Sequence, residues 1–433
     1  MSRALVKKGE RSAHLDLEAT EMAIRSSMHE AGGAMLEKLV DFDQGHRGPR
    51  VPCGKGHQAA FVDYRSKDVQ TVLSNMKVRR AYYHCPACKA GVFPKDSDLD
   101  IVATSFSPGV RRLMARVGGK ESFAEGRADL EKLAGILVKT KEVERISEAI
   151  GEQIEAISAR ERKAVLSGKI VQIKPVPRMY VAMDGTGVPA VPSETEGRAG
   201  KDETGRAKTR EAKFGCVFTQ SSVDDEGWPI RDDGSTTYAG AIESAEAFGR
   251  RIFTEAIRRG ARFAQQIVAL GDGAIWIWNI VDEHFPGAIQ IVDLYHAREH
   301  LSGLAKIIYG PGHPKTRLWA EARTQELDAG DVEAVIAAMK RLRPRNEAIA
   351  DEVRKAIGYF DTNIERMRYK QFRSQGLFVG SGVIEAGCKT IAGLRLKQSG
   401  MRWTVRGANA IIALRCCELS GRWEQFWEAR CAA

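Results

Sequence analysis

The sequence predicts an α/β core that is interrupted by helices and preceded by a helical segment and a small β module. Three observations support this fold class. From residue 179, short apolar strands alternate with helices, which is typical of a sheet covered by helices. From His296 to about residue 367 the pattern is almost wholly helical, and a last helix pair follows. Between residues 51 and 95 the chain instead has short β-like runs separated by Cys, Gly and Pro.

The composition is that of a globular protein with an excess of positive charge. The 433 residues allow about three domains, and 43% hydrophobic with 28% charged residues excludes a disordered or collagen-like chain. Lys and Arg number 66 against 56 Asp and Glu, so the net charge is +10, which suits a polyanionic partner without proving one. No stretch approaches the ~20 apolar residues of a membrane span, and the N-terminus is charged where a signal peptide would be apolar. We therefore expect a cytoplasmic protein with no membrane partner.

Residues 1–50 are the first predicted segment, and most of it is a helix. Apolar residues recur at helical spacing over residues 15–40, which predicts an amphipathic helix, and a polar stretch at 43–50 ends it. These apolar residues are Ile24, Met28, Ala31, Met35 and Leu39.

Residues 51–100 predict a small zinc-ribbon-like β module. Cys85 and Cys88 are separated by two residues, the spacing of one zinc knuckle, and Cys53 with His57 offers a second half-site. Zinc ribbons usually use two Cys-x2-Cys knuckles, so this second half departs from the pattern, and His84 competes as a ligand. The alternative is that these are reduced thiols in a hairpin. The other five cysteines are scattered, and we expect small buried apolar residues there. They are Cys216, Cys388, Cys416, Cys417 and Cys431.

Residues 101–175 predict a helical linker that binds DNA. Two helices, at 123–133 and 141–154, are separated by a short turn, which is the order of a helix-turn-helix. Helix pairs with turns are also common without any DNA-binding role, so both interpretations stay open. The small core of this pair is predicted from Leu130, Leu133, Ile136, Val143, Ile146 and Ile150.

Three carboxylates are candidate metal ligands. Asp184 and Asp272 each follow an apolar strand and directly precede a Gly. Two strands that each end in an Asp can bring both carboxylates to one edge of a sheet. Mg²⁺ and Mn²⁺ prefer such oxygen ligands. The alternative is turn chemistry, in which Asp-Gly marks a turn and the Asp caps the next helix. Glu385, in the first turn of a small apolar helix, is the third candidate, and its alternative role is a carboxylate favoured by the helix dipole.

A basic tract follows Glu385. From Ala386 to Cys417 there are six basic residues and no acidic one, which would hold a phosphodiester beside metal ions. We expect five of the six to contact DNA phosphates. They are Lys389, Arg395, Lys397, Arg402 and Arg406.

Four runs of this sequence resemble bacterial insertion-sequence DDE transposases of the ISKra type. The runs are MYVAMDGTGVP (179–189), GRAKTREAKFGCVFTQ (205–220), ALGDGAIWIWNIVDEHFPGAIQIVDLYHAREHL (269–301) and GLFVGSGVIEAGCKTIAGLRLKQSGMRWTVRGANAIIALRCC (376–417). The resemblance covers nearly the whole chain and is most specific between residues 179 and 417. It implies a ribonuclease-H-like catalytic core, with Asp184 as the first catalytic Asp, Asp272 as the second and Glu385 as the closing Glu.

The resemblance also implies how the core is divided. Glu385 lies 113 positions after Asp272, which implies a helical insertion at 304–375 between a first part of the core at 176–303 and a closing part at 376–433. Asp293 and His296 form an Asp-x-x-His pair similar to one found in several eukaryotic transposase groups. We expect this pair to orient the site or to pack, rather than to bind a metal directly.

The resemblance implies an activity and its partners. We expect a DNA transposase that uses two divalent ions, Mg²⁺ or Mn²⁺, to hydrolyse the phosphodiester at the element ends and to join the freed 3′-hydroxyl to target DNA. Its partners would be the terminal inverted repeats and target DNA, bound at the nucleoid by a homodimer or larger oligomer. Two alternatives remain: a non-catalytic DNA-binding protein, such as a domesticated transposase or repressor, and a ribonuclease-H-like nuclease without strand transfer. A strand-joining assay separates them.

Overall fold

The computed structural model describes residues 16–168, 175–200 and 205–431. The chain divides into two compact units. The first unit comprises the chain up to Gly118 together with Ser122–Ile146, and the second comprises Gly119–Glu121 together with the chain from Ser147. In the described part of the chain, no helix is both long enough and apolar enough to cross a membrane.

The first unit begins with a long helix and a four-stranded antiparallel sheet, as far as its described residues go. The helix starts at Asp16, whose carboxylate accepts the amide of Ala19 at 3.1 Å. The sheet has the strand order β1-β2-β3-β4. The elements are α1 (Leu17–Asp41), β1 (Arg50–Pro52), β2 (Gln58–Gln70), β3 (Asn75–Cys85), β4 (Ala90–Val92), α2 (Pro94–Asp98), α3 (Pro108–Lys120), α4 (Phe123–Ala134) and α5 (Thr140–Leu166), the last of which continues into the second unit.

Helix α1 forms where it was predicted, but its predicted apolar stripe is exposed. The buried residue of α1 is Gly33, because a Cβ at that position would lie 2.0 Å from Ser74 Oγ on the β2–β3 turn. Leu36 and Val40 of the same helix pack against a cluster on the sheet that includes Val78. The stripe points away from the sheet, so the hydrophobic period was recognised correctly and the buried face was not.

The helices of the predicted helix-turn-helix also form, as α4 and α5. A capping box between Ser122 and Glu125 starts α4, and Gly135, with φ of 68°, ends it. The predicted core residues are buried except one: Leu133 is 70% exposed, so its assignment to the core is wrong. The DNA-binding role of this pair stays a prediction.

The described part of the second unit contains a five-stranded mixed sheet of order β11-β10-β5-β6-β9. Strand β10 pairs parallel with both β5 and β11, whereas β6 pairs antiparallel with both β5 and β9. The strands are β5 (Val176–Pro189), β6 (Thr209–Gln220), a small hairpin of β7 (Ser222–Val223) and β8 (Pro229–Ile230), then β9 (Thr237–Ala241), β10 (Ala264–Gly271) and β11 (Ile289–Val292).

Helices accompany and follow this sheet in chain order. Those within the sheet segment are α6 (Pro192–Thr195), α7 (Ala245–Arg258), α8 (Ile275–His284) and α9 (Leu294–Tyr309). The predicted insertion is helical and contains α10 (Pro314–Asp328), α11 (Val332–Lys340), α12 (Glu347–Thr362) and α13 (Tyr369–Ser374). The closing segment contains α14 (Gly382–Cys388), a π-helical turn (Lys389–Gly393), α15 (Leu394–Leu396), α16 (Val405–Leu419) and α17 (Trp423–Cys431).

The sheet contains the short apolar strands expected from residue 179 onward, as β5, β6, β10 and β11, and it adds one edge strand, β9. Strand β9 was missed because its sequence, Thr-Tyr-Ala-Gly-Ala, lacks the run of large apolar residues that indicates a strand. Gly240 is required there, since a Cβ would lie 2.4 Å from the ring of Phe214. Close packing of small residues, rather than strand propensity, places β9 at the edge.

Candidate active site and metal centre

The register of two parallel strands brings Asp184 and Asp272 together. Ala182 of β5 pairs with Leu270 of β10, so each aspartate lies two residues beyond a matched pair at the same edge of the sheet. Strand β10 ends at Gly271, and the chain turns away toward α8. Strand β5 continues past Asp184 as a partner for β6. The two aspartates therefore lie on or next to neighbouring parallel strands, but the prediction that each follows a strand end is right for Asp272 and wrong for Asp184, which lies within β5.

The electrostatics of Asp184 are those of a crowded carboxylate. Burial raises the pKa of Asp184, and the charge of Asp272 raises it further. Hydrogen bonds from the Cys388 thiol and from the Gly185 amide, the latter at 2.7 Å, lower it in part, as does nearby His296. A divalent cation bound here would relieve both the repulsion between the aspartates and the cost of burying the charge.

Asp272 stabilises a turn through its side chain and also lies beside Asp184 in the candidate site. Its Oδ1 accepts the amide of Ala274 at 2.9 Å, which is the turn interaction considered as the alternative. Its carbonyl oxygen accepts the hydroxyl of Tyr359, from α12 of the insertion, at 2.9 Å. The intervening Gly273 has φ of +99°, and a Cβ there would lie 2.5 Å from the Tyr359 ring. The insertion therefore holds the turn that carries Asp272.

Glu385 lies on α14, which packs on β5 and β6. Cys388 is three residues later, so both side chains are on the same face of the helix. The Cys388 thiol lies near Asp184 and lowers the pKa of that carboxyl, and Ser381 Oγ donates to Glu385 Oε1 at 3.2 Å. The helix that carries the third carboxylate is thus tied directly to the first one.

Asp293 is almost completely buried and uses both of its oxygens. Oδ1 accepts the amide of His296 at 2.6 Å, and Oδ2 accepts the amide of Ser381. Asp293 therefore joins the N-terminus of α9 to the N-terminus of α14, four residues before Glu385. This arrangement fits an orienting residue better than a metal ligand, because neither oxygen is left without a donor.

Two residues near this site were missed from the sequence. His300 Nε2 lies 3.2 Å from His296 Nε2, and the His300 ring stacks on Tyr359 with centroids 4.3 Å apart. Desolvation lowers the pKa of His300, and His296 lowers it further. The four-residue spacing between the two histidines on one helix was the signal that could have found His300. No sequence signal pointed to Tyr359, because its position depends on how the insertion packs.

The three carboxylates do not form a closed ligand cluster. Within the described ranges, one group has three or more His, Cys, Asp or Glu ligand atoms within 4.8 Å of one another, and that group is the Cys/His set of the β module. Asp184, Asp272 and Glu385 would have to move toward a shared ion for it to bind all three.

The Cys/His set can bind a metal such as zinc. The ligand atoms of Cys53, His57, Cys85 and Cys88 lie within 4.8 Å of one another. The sulfur atoms of Cys53 and Cys88 are 3.6 Å apart, close to the ~3.8 Å that tetrahedral zinc with Zn–S of about 2.3 Å requires. His57 Nδ1 lies 3.1 Å from Cys88 Sγ. The predicted Cys-x3-His half-site is therefore brought to the Cys-x2-Cys knuckle, and His84 is not part of the group.

Local backbone geometry prepares this site. Cys53 and His57 lie on the loop between β1 and β2, where the Cys53 amide donates to the His57 carbonyl at 2.9 Å. Backbone amides of Lys55 and then of His57 lower the pKa of Cys53 to about 6. Cys85 is the last residue of β3, and Cys88 lies on the turn between β3 and β4. A lowered thiol pKa favours the thiolate, which is the form that binds zinc.

The basic tract is only partly available to DNA. Arg395 is completely buried, and its guanidinium lies 5.0 Å from the centre of the Trp403 ring, so its predicted phosphate contact is wrong. Its long side chain fills the core where the π-helical turn meets the loop before α16. Lys397 is exposed and donates to Thr186 Oγ1, two residues beyond Asp184. Lys389 and Arg402 are exposed, and Arg406 is exposed while paired with Glu152.

Comparisons with known proteins identify no family. No protein-family model and no curated protein matches this sequence. Among solved structures, the Drosophila P element transposase strand transfer complex is similar over 77% of this chain and 84% of that chain, with 10% identity and a TM-score of 0.23. NurA bound to dAMP and manganese is similar over 68% of this chain and 64% of that chain, with 12% identity and a TM-score of 0.10. Similarities this low carry no conclusion about the site.

Proposed function

We propose that this chain is a DNA transposase of the DDE class, in which Asp184, Asp272 and Glu385 hold divalent metal ions. One observation carries the proposal: the parallel register of β5 and β10 puts two aspartates side by side, and the helix of Glu385 packs on β5 with its Cys388 thiol near the first of them. The sequence runs that resemble ISKra-type transposases contain all three carboxylates.

The sheet supports a ribonuclease-H-like core for this proposal. Strands β5, β6 and β9 are consecutive antiparallel neighbours, if the small β7–β8 hairpin is set aside, and β10 and β11 then add parallel on the other side of β5. This places β5 at the centre of the sheet, so Asp184 lies on the central strand. A central aspartate is the one best placed to contact two ions at once.

The residues around the carboxylates have complementary roles. Asp184, Asp272 and Glu385 would hold the divalent ions, which would supply Lewis-acid activation of the attacking water or 3′-hydroxyl and stabilisation of the leaving oxygen. Asp293 fixes the start of the Glu385 helix, and Tyr359 fixes the turn of Asp272. Lys397, beside Thr186, contributes positive charge at the point where a phosphate would approach Asp184. No Ser or Tyr nucleophile is needed, because water and the 3′-hydroxyl attack directly.

DNA binding is distributed over the two units in this proposal. Zinc bound by the Cys/His set would stabilise the β module, which we assign to recognition of the element ends. Lys389, Lys397, Arg402 and Arg406 would contact the backbone near the cut. Such contacts carry no sequence information, so the two units would divide specificity and chemistry between them.

The test uses the full chain and DNA that carries the inverted repeats bracketing its gene. With Mg²⁺ or Mn²⁺ we expect cleavage at the repeat end and joining to a second duplex. Asp184→Ala, Asp272→Ala and Glu385→Ala should each abolish both steps while binding to the repeat, measured by gel shift, is retained. Glu283→Ala, an exposed carboxylate on α8, is the control and should remain active.

Each other outcome identifies a different function. Cleavage without joining would indicate a nuclease, and specific binding without cleavage would indicate a non-catalytic DNA-binding protein. Normal cleavage by all three core variants would contradict the assigned site.

A further inference from the structure

Helix α1 carries an apolar stripe that is exposed in the described part of the chain. Met28 is 66% exposed and Phe42 is 96% exposed. The opposite face, centred on Gly33, packs on the sheet of the first unit. The stripe therefore lies half a turn away from the face that α1 uses to fold. Its exposed members are Leu17, Ile24, Met28, Ala31, Met35, Leu39 and Phe42.

The spacing of this stripe is that of a seam between two helices. Counted from Leu17, positions 17, 21, 24, 28, 31, 35, 38 and 42 alternate steps of four and three residues, and Leu39 is the one stripe member that lies beside this line rather than on it. A strict repeat of 3.5 residues keeps one narrow line of side chains facing a second helix over several turns. Six of these eight positions are apolar, and the two exceptions are Glu21 and Lys38.

The two charged positions indicate the direction of the second helix. If an identical helix ran parallel, Glu21 would face the partner's Glu21 and Lys38 would face the partner's Lys38, so both layers would be repulsive. If the second helix runs antiparallel, with the centre between residues 29 and 30, each apolar position faces an apolar position of the partner and each charged position faces the opposite charge. The layers are then Leu17 with the partner's Phe42, Glu21 with the partner's Lys38, Ile24 with the partner's Met35, and Met28 with the partner's Ala31, each occurring twice.

We propose that α1 is a dimerisation helix, which pairs with α1 of a second copy of this chain as an antiparallel two-stranded coiled coil. The parallel and the antiparallel pairing both give every apolar position an apolar partner, but only the antiparallel pairing gives each charge an opposite charge. Two mutually opposed ion pairs within an apolar seam fix the register, because any shift by one heptad separates them. The dimer forms without DNA and without metal ions, so it does not depend on the proposed transposase chemistry.

The first test measures the mass of the DNA-free full chain by sedimentation velocity across micromolar concentrations. The wild-type chain should be a dimer. Met28→Glu puts a carboxylate into each of the two central layers and should raise the dimer dissociation constant about tenfold or more. Met22→Glu is the matched control: Met22 is also an exposed apolar residue of α1, but it lies outside the seam. That variant should dimerise normally.

The second test exchanges the charges. Glu21→Lys alone and Lys38→Glu alone each put like charges opposite each other and should weaken the dimer, and the double variant should restore it. A parallel seam would have like charges opposite each other in all four proteins, so no rescue would occur. The proposal is overturned by a monomeric wild-type chain, by a Met28→Glu dimer as tight as that of Met22→Glu, or by a double variant no tighter than the singles. Circular dichroism of each variant confirms that α1 and the sheet remain folded.

Discussion

Asp184 has an environment that favours its neutral form. Burial raises the pKa of Asp184, and the neighbouring charge of Asp272 adds to the shift. When a carboxyl pKa is higher in the folded than in the unfolded chain, ionisation above that pKa destabilises the fold. At neutral pH the ionised carboxylate of Asp184 therefore destabilises the fold, and a bound cation is what would compensate for this cost.

Asp184→Asn removes that charge and keeps the size of the side chain. In the absence of divalent ions, at neutral pH, we expect the melting temperature to rise by about 2 °C or more, while cleavage is lost. The gain should shrink as the pH falls below the raised pKa and should vanish near the unfolded-state pKa of about 3.9, where the carboxyl is protonated in both the folded and the unfolded chain. Differential scanning calorimetry from pH 4 to pH 8 measures both effects. Glu283→Gln, which removes an exposed carboxylate, should leave the melting temperature unchanged, and a less stable Asp184→Asn chain would contradict the argument.

Cys388 was expected to be a small buried apolar residue, and it is buried, but its thiol also interacts with Asp184. Burial, and then the charge of Asp184, raise the pKa of the Cys388 thiol, so it remains protonated and keeps its donor. A group that orients a metal ligand typically changes metal affinity by about 10- to 100-fold when it is removed. We expect Cys388→Ala to weaken Mn²⁺ binding by about tenfold and Cys388→Ser, which keeps a donor, to bind nearly as the wild type. Calorimetric titration of the full chain with Mn²⁺ tests this, and equal affinities for the two variants would exclude a positioning role.

At the scale of elements, the β module depends on two tight turns. The β1–β2 loop carries Cys53 and His57, while Cys85 ends β3 and Cys88 lies on the β3–β4 turn. These two turns are brought together because β1 pairs with β2, β2 with β3 and β3 with β4. A metal ion that bridges them would replace a large apolar core, which so small a sheet does not have.

We expect the purified chain to contain about one zinc ion, and His57→Ala or Cys88→Ser to lose it. His84→Ala is the matched control, because His84 neighbours Cys85 in sequence but lies outside the group. Elemental analysis after dialysis against a mild chelator gives the zinc content. Zinc loss in His84→Ala, together with retention in His57→Ala, would reverse the ligand assignment. The zinc-free variants should also unfold the β module, seen as a loss of protease resistance before residue 100.

At the scale of the whole molecule, the net charge of +10 favours contact with a polyanion, but burial decides which charges take part. Arg395 and Arg415 belong to the basic tract and are buried, and Arg415 donates to the carbonyl oxygens of Gly119 and Thr390. Such residues stabilise the closing segment rather than bind DNA. The exposed members of the tract, including Lys397 and Arg402, remain free to meet phosphate.

Replacing Lys397 and Arg402 by Ala should weaken binding to element-end DNA and to random DNA by the same factor. Each phosphate contact that is lost should reduce the slope of log affinity against log salt by about one unit. Fluorescence anisotropy at several salt concentrations measures affinity and slope together. Lys397→Arg keeps the charge and serves as the control. A loss confined to the element-end sequence would show that these residues read bases instead.

The sequence by itself determined the features that depend on local pattern. Strands β5, β6, β10 and β11 were predictable because apolar residues that fill a buried strand must be adjacent in sequence. That Asp184 and Asp272 lie near each other followed, because neighbouring parallel strands place corresponding residues side by side. The Cys/His set was predictable because turns place metal ligands at short, fixed spacings in the sequence.

Only the tertiary structure decided the features that depend on which surfaces meet. Strand β9 pairs at the edge because small residues allow close approach, and Tyr359 reaches Asp272 because the insertion packs over the turn. Arg395 lies in the core although its charge suggested the surface, because its side chain is packed beside Trp403. The stripe of α1 showed an apolar face in the sequence, but burial of the opposite face at Gly33 left the stripe exposed. The periodicity of the sequence predicts that a helix has an apolar side, whereas the packing of distant segments determines what that side contacts.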